Sequence, residues 1–339
     1  MRAAIMGVGS LGTILGAYIS KAGKQIDLID VYEDHVKALN EKGAHVTGPV
    51  DFTAPVTALT PSQMEGNYDL VFFMVKQTYN DSAIAALKPH VHDATIIATL
   101  QNGLPEPAIV DVFGADRVMG CTVGWGATFK GPGLSELTTT PDKLTFDLGR
   151  VDNRITPELD VVKGYLECMG PTVIVDNLMG IRLTKLLANA TFSGMSAVLG
   201  CAFGDVLDND QALLCIKFLA NECISVAKAA NIRMEPIQGN DMGKLLAFTT
   251  KAEQDATTPV YHKMWGAHRA TRASMLQDLE KGRKCEIGAI NGAVCAMGDK
   301  YGVDTPVNDQ VVEIVRSIEN GSRKPVFDNL KLLKLPEIR

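Results

Sequence analysis

The chain opens with Met1-Arg-Ala-Ala-Ile-Met-Gly7-Val-Gly9-Ser-Leu-Gly12 and continues into an apolar run over residues 13–22. This order predicts a buried strand, a turn of the form Gly7-x-Gly9-x-x-Gly12, and a helix. In such a turn Gly7 allows a tight bend, Gly9 leaves room for a pyrophosphate, and Gly12 lets helix and strand pack closely. The helix N-terminus then faces the anion. The stretch predicts a dinucleotide site; the alternative is a glycine-rich turn in another kind of α/β protein.

The composition limits the class of protein and its partners. A length of 339 residues favours two domains, and a net charge of −6 argues against a nucleic-acid or anionic-membrane surface. The seven cysteines form no CxxC pair, which favours a reducing compartment, and neither a signal peptide nor a membrane-spanning run is apparent. The histidines form no cluster beyond His90-x-His92, so no metal site is expected. We expect a cytoplasmic protein.

The first half of the chain alternates strand and helix patterns. Near-continuous apolar strands between helices predict a parallel sheet covered on both faces. The strands are predicted at residues 3–6, 25–29, 70–75, 95–100 and 117–122, with helices at 33–42, 81–87 and 105–113. Residues 124–149 are predicted to form antiparallel strands, followed by a helix at 157–170 and a last strand at 172–175.

The second half has helical periodicity throughout. Helices are predicted at residues 181–199, 210–230, 236–248, 270–280, 286–301 and 308–320. The predicted fold is therefore α/β, with an N-terminal Rossmann domain (1–177) and an all-helical C-terminal domain for substrate binding and dimerisation (178–325). Residues 326–339 are predicted to be a C-terminal extension on the surface.

Asp30 lies at the end of the second predicted strand, about twenty residues after the glycine turn. A carboxylate at this place can bond both ribose hydroxyls of NAD and repel the 2′-phosphate of NADP. No lysine or arginine follows immediately to receive a phosphate, so Asp30 favours NADH over NADPH. The alternative is that Asp30 and Glu33 form a helix capping box.

Two further strand ends carry polar groups. Lys76 follows a buried strand and would reach the cofactor phosphates or the nicotinamide ribose; the alternative is a plain surface lysine. Asn102 follows the next strand, between Gln101 and Gly103, and its amide could contact substrate or nicotinamide. Its alternative is a turn, which Asn-Gly sequences favour.

Lys185 stands on an otherwise apolar helix pattern in the second half. Asn189 is four residues further on, so the two side chains share a helix face, and Ser193 and Ala197 are expected to continue it. A lysine in this setting points into a polar pocket, or it snorkels to the surface.

Ser274 and Glu286 place a hydroxyl and a carboxylate twelve residues apart. Glu286 is predicted to begin a helix, and a helix-dipole role is its alternative. A lysine acid together with a carboxylate and amides suits carbonyl reduction: Lys185 would protonate the forming alkoxide while the cofactor delivers hydride.

At these residues the chain resembles the ketopantoate reductase (2-dehydropantoate 2-reductase) family. The resemblance covers residues 1–320 and rests on the order and spacing of several motifs. They are Gly7-x-Gly9-x-x-Gly12, Val75-Lys76, Gln101-Asn102-Gly103, Lys185-x3-Asn189, Ser274-Met-Leu-Gln-Asp278, Glu286-Ile-x3-Asn291-Gly292 and Gly302-Val-x-Thr-Pro306-x-Asn308. It implies a 6-phosphogluconate-dehydrogenase-like fold and, by analogy with two-domain dehydrogenases, a homodimer.

The resemblance also implies an activity, the reduction of a 2-oxo acid to a D-2-hydroxy acid, typically ketopantoate to D-pantoate in pantothenate synthesis. Lys185 would be the general acid, and Glu286 would orient it and bind the substrate hydroxyl. Substrate would be held by Asn102, Asn189, Ser193 and Ser274. NADH or NADPH would contact Gly7, Val8, Gly9, Ser10, Leu11, Gly12, Asp30, Lys76 and Asn102.

Two departures from the family pattern leave alternatives open. The family usually has Lys-x3-Asn-x3-Asn on this helix, whereas Ser193 occupies the third position here, and many members have a basic residue near Asp30. Both features favour, as an alternative, an NAD-dependent D-2-hydroxyacid dehydrogenase acting on another branched or aromatic 2-oxo acid, whereas ketopantoate remains the predicted substrate. An alternative of another class is a dinucleotide-binding sensor without catalysis, against which the presence of both Lys185 and Glu286 argues.

Overall fold

The computed structural model describes residues 1–237 and 239–338, and the chain divides into two compact units. The N-terminal unit comprises Met1–Gln101 and Pro105–Leu178. The C-terminal unit comprises Asn102–Leu104 and the chain from Met179 onward. Each unit has buried hydrophobic clusters of its own.

The N-terminal unit consists of strands and short helices. The strands are β1 (Ala3–Met6), β2 (Asp27–Ile29), β3 (Ala44–Thr47), β4 (Phe52–Ala54), β5 (Thr57–Leu59), β6 (Tyr68–Phe73), β7 (Val91–Thr99), β8 (Val118–Val123), β9 (Ala127–Gly131), β10 (Leu134–Leu137), β11 (Phe146–Arg150) and β12 (Thr172–Ile174). The helices are α1 (Ser10–Lys21), α2 (Glu33–Lys42), α3 (Asn80–Leu87), α4 (Glu106–Phe113) and α5 (Pro157–Leu166). Short 3-10 turns lie at Pro61–Gln63, Gln77–Tyr79, Lys88–His90, Ala115–Arg117 and Pro141–Lys143.

The main sheet has the order β12-β11-β8-β7-β6-β1-β2-β5. From β5 to β8 all neighbours are parallel, whereas β11 runs antiparallel to β8. Strand β1 lies between β2 and β6, with Ala4 opposite Asp27 on one side and Val71 on the other. The strand order reverses at β1 and β6, and ligands of open α/β sheets bind beyond the strand ends at such a point. The predicted parallel sheet is confirmed.

A second sheet, with the order β4-β3-β10-β9, packs on α1. The predicted antiparallel strands within residues 124–149 are confirmed, since β9 pairs antiparallel with β10 and β11 with β8. The sequence did not predict β3, β4 or β5. Strands of three or four residues are too short for an alternating pattern to be distinguished from a turn.

The C-terminal unit is helical. Its helices are α6 (Leu178–Ala188), α7 (Gly194–Leu199), α8 (Phe203–Leu207), α9 (Asp210–Ala229), α10 (Met242–Leu245), α11 (Lys251–Ala256), α12 (Thr258–Trp265), α13 (Ser274–Glu280), α14 (Asn291–Tyr301) and α15 (Pro306–Glu319), with 3-10 turns at Gly266–His268 and Phe327–Leu332. A π-helical segment, Asn189–Ser193, joins α6 to α7. This unit confirms the predicted helical second half.

Three predicted helices differ from the structure. The helix predicted at 181–199 is interrupted by the π segment, and the one predicted at 286–301 begins only at Asn291. In the predicted helix at 236–248, the described residues form α-helix only over Met242–Leu245, and Gln238 lies outside the described residues. Near the C-terminus, Leu333 is buried against the helical core and the Asn329 side chain donates to the Val198 carbonyl at 2.8 Å.

Candidate active site

The glycine-rich turn after β1 is shaped by close backbone contacts. Gly7 has φ +97°, a conformation that side chains disfavour, and a Cβ added there would lie 2.5 Å from the backbone nitrogen of Val75. A Cβ at Gly12 would lie 2.5 Å from the Gly7 carbonyl oxygen. A Cβ at Gly9, by contrast, would have no atom within 4 Å from any described residue other than its two chain neighbours. The turn is therefore packed tightly on the protein side and open at Gly9.

The N-terminus of α1 is suited to an anion. Its N-cap residue is Gly9, no side chain caps it, and its first turn contains no acidic residue. Backbone N–H groups and the helix dipole at such an end attract negative charge. Together with the open space at Gly9, this arrangement fits the pyrophosphate of a dinucleotide, which Gly7, Val8, Gly9, Ser10, Leu11 and Gly12 would hold.

Asp30 is joined to the glycine-rich turn. Its carboxylate accepts the Val8 N–H at 2.7 Å and the Tyr32 N–H at 2.9 Å. The proposed capping box with Glu33 is wrong, because the N-cap residue of α2 is Tyr32 and no side chain caps this helix. Asp30 thus lies at the end of β2 with its carboxylate beside the turn, where the sequence predicts the ribose contact.

His35 stabilises the glycine-rich turn through a hydrogen bond to Thr13, a role that the sequence analysis missed. Its Nδ1 accepts the Gly133 N–H at 2.9 Å, so the neutral ring donates from Nε2 to the Thr13 hydroxyl, 3.1 Å away. Thr13 in turn donates to the Gly9 carbonyl at 2.7 Å. Burial lowers the pKa of His35. No sequence signal marks this role, since its partner Gly133 is 98 residues away.

Gln101 holds the loop that follows β6. Its Nε2 donates to the Val75 carbonyl and to Asn80 Oδ1, each at 2.7 Å, and its Oε1 accepts from the Thr99 hydroxyl at 3.0 Å. The next residue after Val75 is Lys76, which is half-buried. Gln101 therefore fixes the backbone from which Lys76 extends. The motif Gln101-Asn102-Gly103 contains this glutamine, but the sequence predicts a role only for the neighbouring Asn102, which is also half-buried.

In the C-terminal unit, Lys185 lies half-buried near the end of α6. Asn189 and Ser193, also half-buried, are the first and last residues of the π segment. The expectation that one helix face continues through Ser193 to Ala197 is wrong. A π turn alters the rotation between successive side chains, and Ala197 is fully buried in the core.

Ser274 and Glu286 lie on two different elements of the same unit. Ser274 is the exposed first residue of α13, which packs against α7 and the π segment. Glu286 is 8% exposed and lies in a turn, where its carbonyl accepts from the N–H groups of Ala289 and Ile290. Glu286 does not begin a helix as predicted, because α14 starts five residues later, so the helix-dipole alternative does not hold.

A dinucleotide-binding fold is defined by three features: the reversed strand order at β1 and β6, the open glycine turn and the uncapped N-terminus of α1. The chain is an NAD(P)-dependent oxidoreductase. It belongs to the ketopantoate reductase family. The profile described as ketopantoate reductase PanE/ApbA matches residues 3–151, and the profile for the C-terminal part of the same family matches residues 177–319.

Individual relatives agree with this assignment. The 2-dehydropantoate 2-reductase of Archaeoglobus fulgidus is 28% identical over 321 residues, covering 94% of this chain and 98% of that protein. The PanE/ApbA family ketopantoate reductase from Ralstonia eutropha JMP134 has a TM-score of 0.80 at 24% identity, and D-mandelate dehydrogenase with NADH and anilino(oxo)acetate has 0.79 at 22%. Each of these two matches covers 95% of this chain and 99% of the other protein's chain, and both proteins share the fold of this chain.

Membership of this family assigns the chain to a reaction class, the NAD(P)H-dependent reduction of a 2-oxo acid. The family indicates a nicotinamide dinucleotide cofactor. Among the described helices, none has the length and apolar character that a membrane crossing needs.

Proposed function

We propose that the protein reduces 2-dehydropantoate (ketopantoate) to D-pantoate, as a step of pantothenate biosynthesis. The observation that carries this proposal is the alignment of 94% of the chain with a relative named 2-dehydropantoate 2-reductase. The family motifs Lys185-x3-Asn189 and Glu286-Ile support it, because they supply an acid, an amide and a carboxylate.

Lys185 is the proposed general acid. A bound nicotinamide dinucleotide supplies hydride to the carbonyl carbon of the 2-oxo acid. The negative charge that develops on the carbonyl oxygen is neutralised by a proton from the Lys185 ammonium Nζ, which leaves a neutral amine and a 2-hydroxy acid. The lysine then takes a proton from water before the next turnover. Its half-buried place beside the π segment supports the role, because partial desolvation strengthens a charge-assisted hydrogen bond to the oxygen.

The neighbouring polar groups have separate proposed roles. The Glu286 carboxylate would keep Lys185 protonated and accept a hydrogen bond from the substrate hydroxyl, since an adjacent negative charge favours the ammonium form. Amide and hydroxyl groups of Asn102, Asn189, Ser193 and Ser274 would orient the 2-oxo acid. Lys76 and the glycine turn would hold the cofactor, with Asp30 on the adenosine ribose and a preference for NADH.

A second candidate is an NAD-linked D-2-hydroxyacid dehydrogenase that acts on another branched or aromatic 2-oxo acid. Two observations favour it: the carboxylate of Asp30 beside the glycine-rich turn, and Ser193 where the family usually has asparagine. The shorter serine side chain leaves more space and one hydrogen-bonding group fewer for the hydroxyl at the far end of ketopantoate.

The test is initial rates with ketopantoate, 2-ketoisovalerate, 2-ketoisocaproate and phenylpyruvate, each with NADH and NADPH. If ketopantoate has the highest kcat/KM, the proposal holds; if it is the poorest of the four, the second candidate replaces it. The Ser193→Asn variant sharpens the test. It should raise kcat/KM for ketopantoate relative to 2-ketoisovalerate by about tenfold or more, because 2-ketoisovalerate lacks the hydroxyl that the added amide can bind.

The homodimer and the cytoplasmic location stay predictions. Light scattering on the purified protein measures the oligomeric state directly.

A further inference from the structure

The helix that carries the proposed acid contains a π turn. Over Asn189–Ser193 the winding widens, and the Gly194 N–H is directed to the carbonyls of Asn189 and Thr191. In a continuous α-helix the Gly194 N–H would instead donate to Ala190, four residues earlier. Single π turns are rare and are found mostly at functional sites. Contacts from other elements must therefore stabilise this turn in place of the α-helical hydrogen bond.

The Ala190 carbonyl is occupied by a side chain from elsewhere in the fold. Asn291, the first residue of α14, donates from Nδ2 to the Ala190 oxygen at 2.9 Å. The same nitrogen donates to Asn308 Oδ1 at 2.9 Å. Asn291 and Asn308 are completely buried. Both hydrogens of the Asn291 amide are thus donated. One of them goes to the Ala190 carbonyl, which would accept the Gly194 N–H in a continuous α-helix.

Glu222 on α9 anchors this arrangement. Its carboxylate accepts the backbone N–H groups of Val307 and Asn308, each at 2.9 Å, and Asn308 Nδ2 at 2.7 Å. A carboxylate only accepts hydrogen bonds, so Asn308 must direct its amide nitrogen to Glu222 and its amide oxygen to Asn291. Asn291 must therefore donate to that oxygen from its own amide nitrogen. Both oxygens of Glu222 accept here; these three hydrogen bonds lower the pKa of Glu222, whereas burial, the larger effect, raises it to about 7.

The approach of the two elements is close. A Cβ on Gly194 would lie 2.8 Å from Asn291 Oδ1 and 3.1 Å from its Nδ2. Any side chain at residue 194 would therefore push the amide away from the π segment. The glycine, the asparagine and the turn form one unit, and the asparagine comes from a motif, Asn291-Gly292, to which the proposed mechanism gives no role.

We propose that Asn291, oriented by Asn308 and Glu222, is a positioning residue that holds the π turn and thereby sets where Asn189 and Ser193 point. This rests on the proposed function, which makes those two residues substrate contacts. The extra residue in the turn shifts later side chains by up to about 100° relative to a continuous α-helix. If the turn reverts to α, Ser193 leaves the orientation in which it meets the 2-oxo acid.

The test compares Asn291→Leu with Asn329→Leu. Asn329 is also buried and donates from Nδ2 to a helix carbonyl, that of Val198, which lies outside the π segment. Both variants lose a buried amide donor of similar size, and both are expected to be less stable. Only Asn291→Leu should raise KM for the 2-oxo acid about tenfold or more and lower kcat, with the Kd for NADH unchanged. Equal KM values in the two variants would overturn the proposal.

Two further measurements separate the possible failures. A crystal structure of Asn291→Leu should have Gly194 N–H bonded to the Ala190 carbonyl; a retained π turn refutes the positioning role whatever the kinetics. Asn189→Ala is the reference for substrate binding. If it leaves KM unchanged, the binding assignment of the proposed function fails, whereas an altered KM in Asn189→Ala with a normal KM in Asn291→Leu refutes the positioning role alone.

Gly194→Ala serves if Asn291→Leu does not fold. Alanine favours helix more than glycine does, so the variant is expected to fold, while its Cβ displaces the Asn291 amide. It should reproduce the raised KM. A wild-type KM in Gly194→Ala would count against the proposal.

Discussion

The carboxylate of Asp30 accepts the backbone N–H of Val8 at 2.7 Å and so ties the end of β2 to the glycine-rich turn. The same carboxylate accepts the Tyr32 N–H. Each carboxylate oxygen has a second lone pair, so both can still accept a ribose hydroxyl. Asp30 therefore has two separable properties, its hydrogen bonds to the turn and its negative charge.

Asp30→Asn separates these properties. The single amide oxygen can still accept the Val8 N–H that ties β2 to the turn, although the bond to Tyr32 is lost, and the charge that repels a 2′-phosphate is gone. We expect the ratio of kcat/KM with NADH to kcat/KM with NADPH to fall about tenfold. Asp34→Asn, which removes an exposed carboxylate from the first turn of α2, is the control and should keep the wild-type ratio. An unchanged ratio in Asp30→Asn would limit Asp30 to holding the turn.

Gly9 and Gly7 are expected to respond oppositely to alanine. A Cβ at Gly9 meets no atom of the described residues beyond its two chain neighbours, and Gly9 has φ −68°, so Gly9→Ala should unfold at the wild-type temperature. It should nevertheless bind NADH about tenfold or more weakly, because the methyl group fills the space expected for the pyrophosphate. Fluorescence titration with NADH and thermal unfolding measure the two effects.

The control is Gly7→Ala, whose backbone strain and contact with Val75 should lower the free energy of unfolding by about 1–3 kcal/mol. Wild-type NADH affinity in Gly9→Ala would mean that the dinucleotide does not approach this backbone.

Lys185→Arg and Lys185→Ala distinguish binding from proton donation. Arginine keeps the positive charge but gives up its proton far less readily. Both variants should lose about 10²–10⁴-fold in kcat, while Lys185→Arg retains more of the substrate affinity. Lys228→Ala, at the exposed end of α9, should behave as wild type. Appreciable turnover by Lys185→Arg would assign the lysine a purely electrostatic role.

The sequence predicted those parts of the fold that depend on neighbouring residues. Strand β1 was predicted at its observed bounds, because an apolar run followed by glycines is a local signal. The position of Asp30 followed from the same logic. Its bond to Val8, however, depends on β2 lying beside β1, and no local pattern specifies that contact.

The π segment was beyond the reach of sequence reasoning for a related cause. Apolar residues before and after it fit a 3.6-residue period, so the pattern predicts one continuous helix. The turn is held by the amide of Asn291, 101 residues away, which donates in turn to Asn308, and Asn308 is bound by the Glu222 carboxylate on α9. Such a contact exists only after α9, α14 and α15 have packed. The motif residues Asn291 and Asn308 were visible in the sequence, but their chemistry became readable only from their partners.

His35 predicts a pH dependence of stability. Its Nδ1 must stay unprotonated to accept the Gly133 N–H, and burial lowers its pKa below the value of 6.5 that applies to the unfolded chain. Between these two pKa values the unfolded state binds more protons, so the free energy of unfolding falls as the pH falls below about 6.5. In His35→Asn the amide oxygen can accept from Gly133 without titrating, so this part of the pH dependence should disappear. Urea unfolding from pH 7.5 to 5.5 measures it.

The comparison between variants isolates His35 from other titrating groups. Glu222, whose raised pKa acts in the opposite direction over part of the same range, contributes equally to the wild type and to His35→Asn and cancels in the difference. His262→Asn is the matched control for the change of histidine to asparagine, because the His262 side chain is exposed on α12. If His35→Asn and His262→Asn have the same slope, protonation of His35 makes no measurable contribution to the pH dependence of stability, and the prediction is wrong.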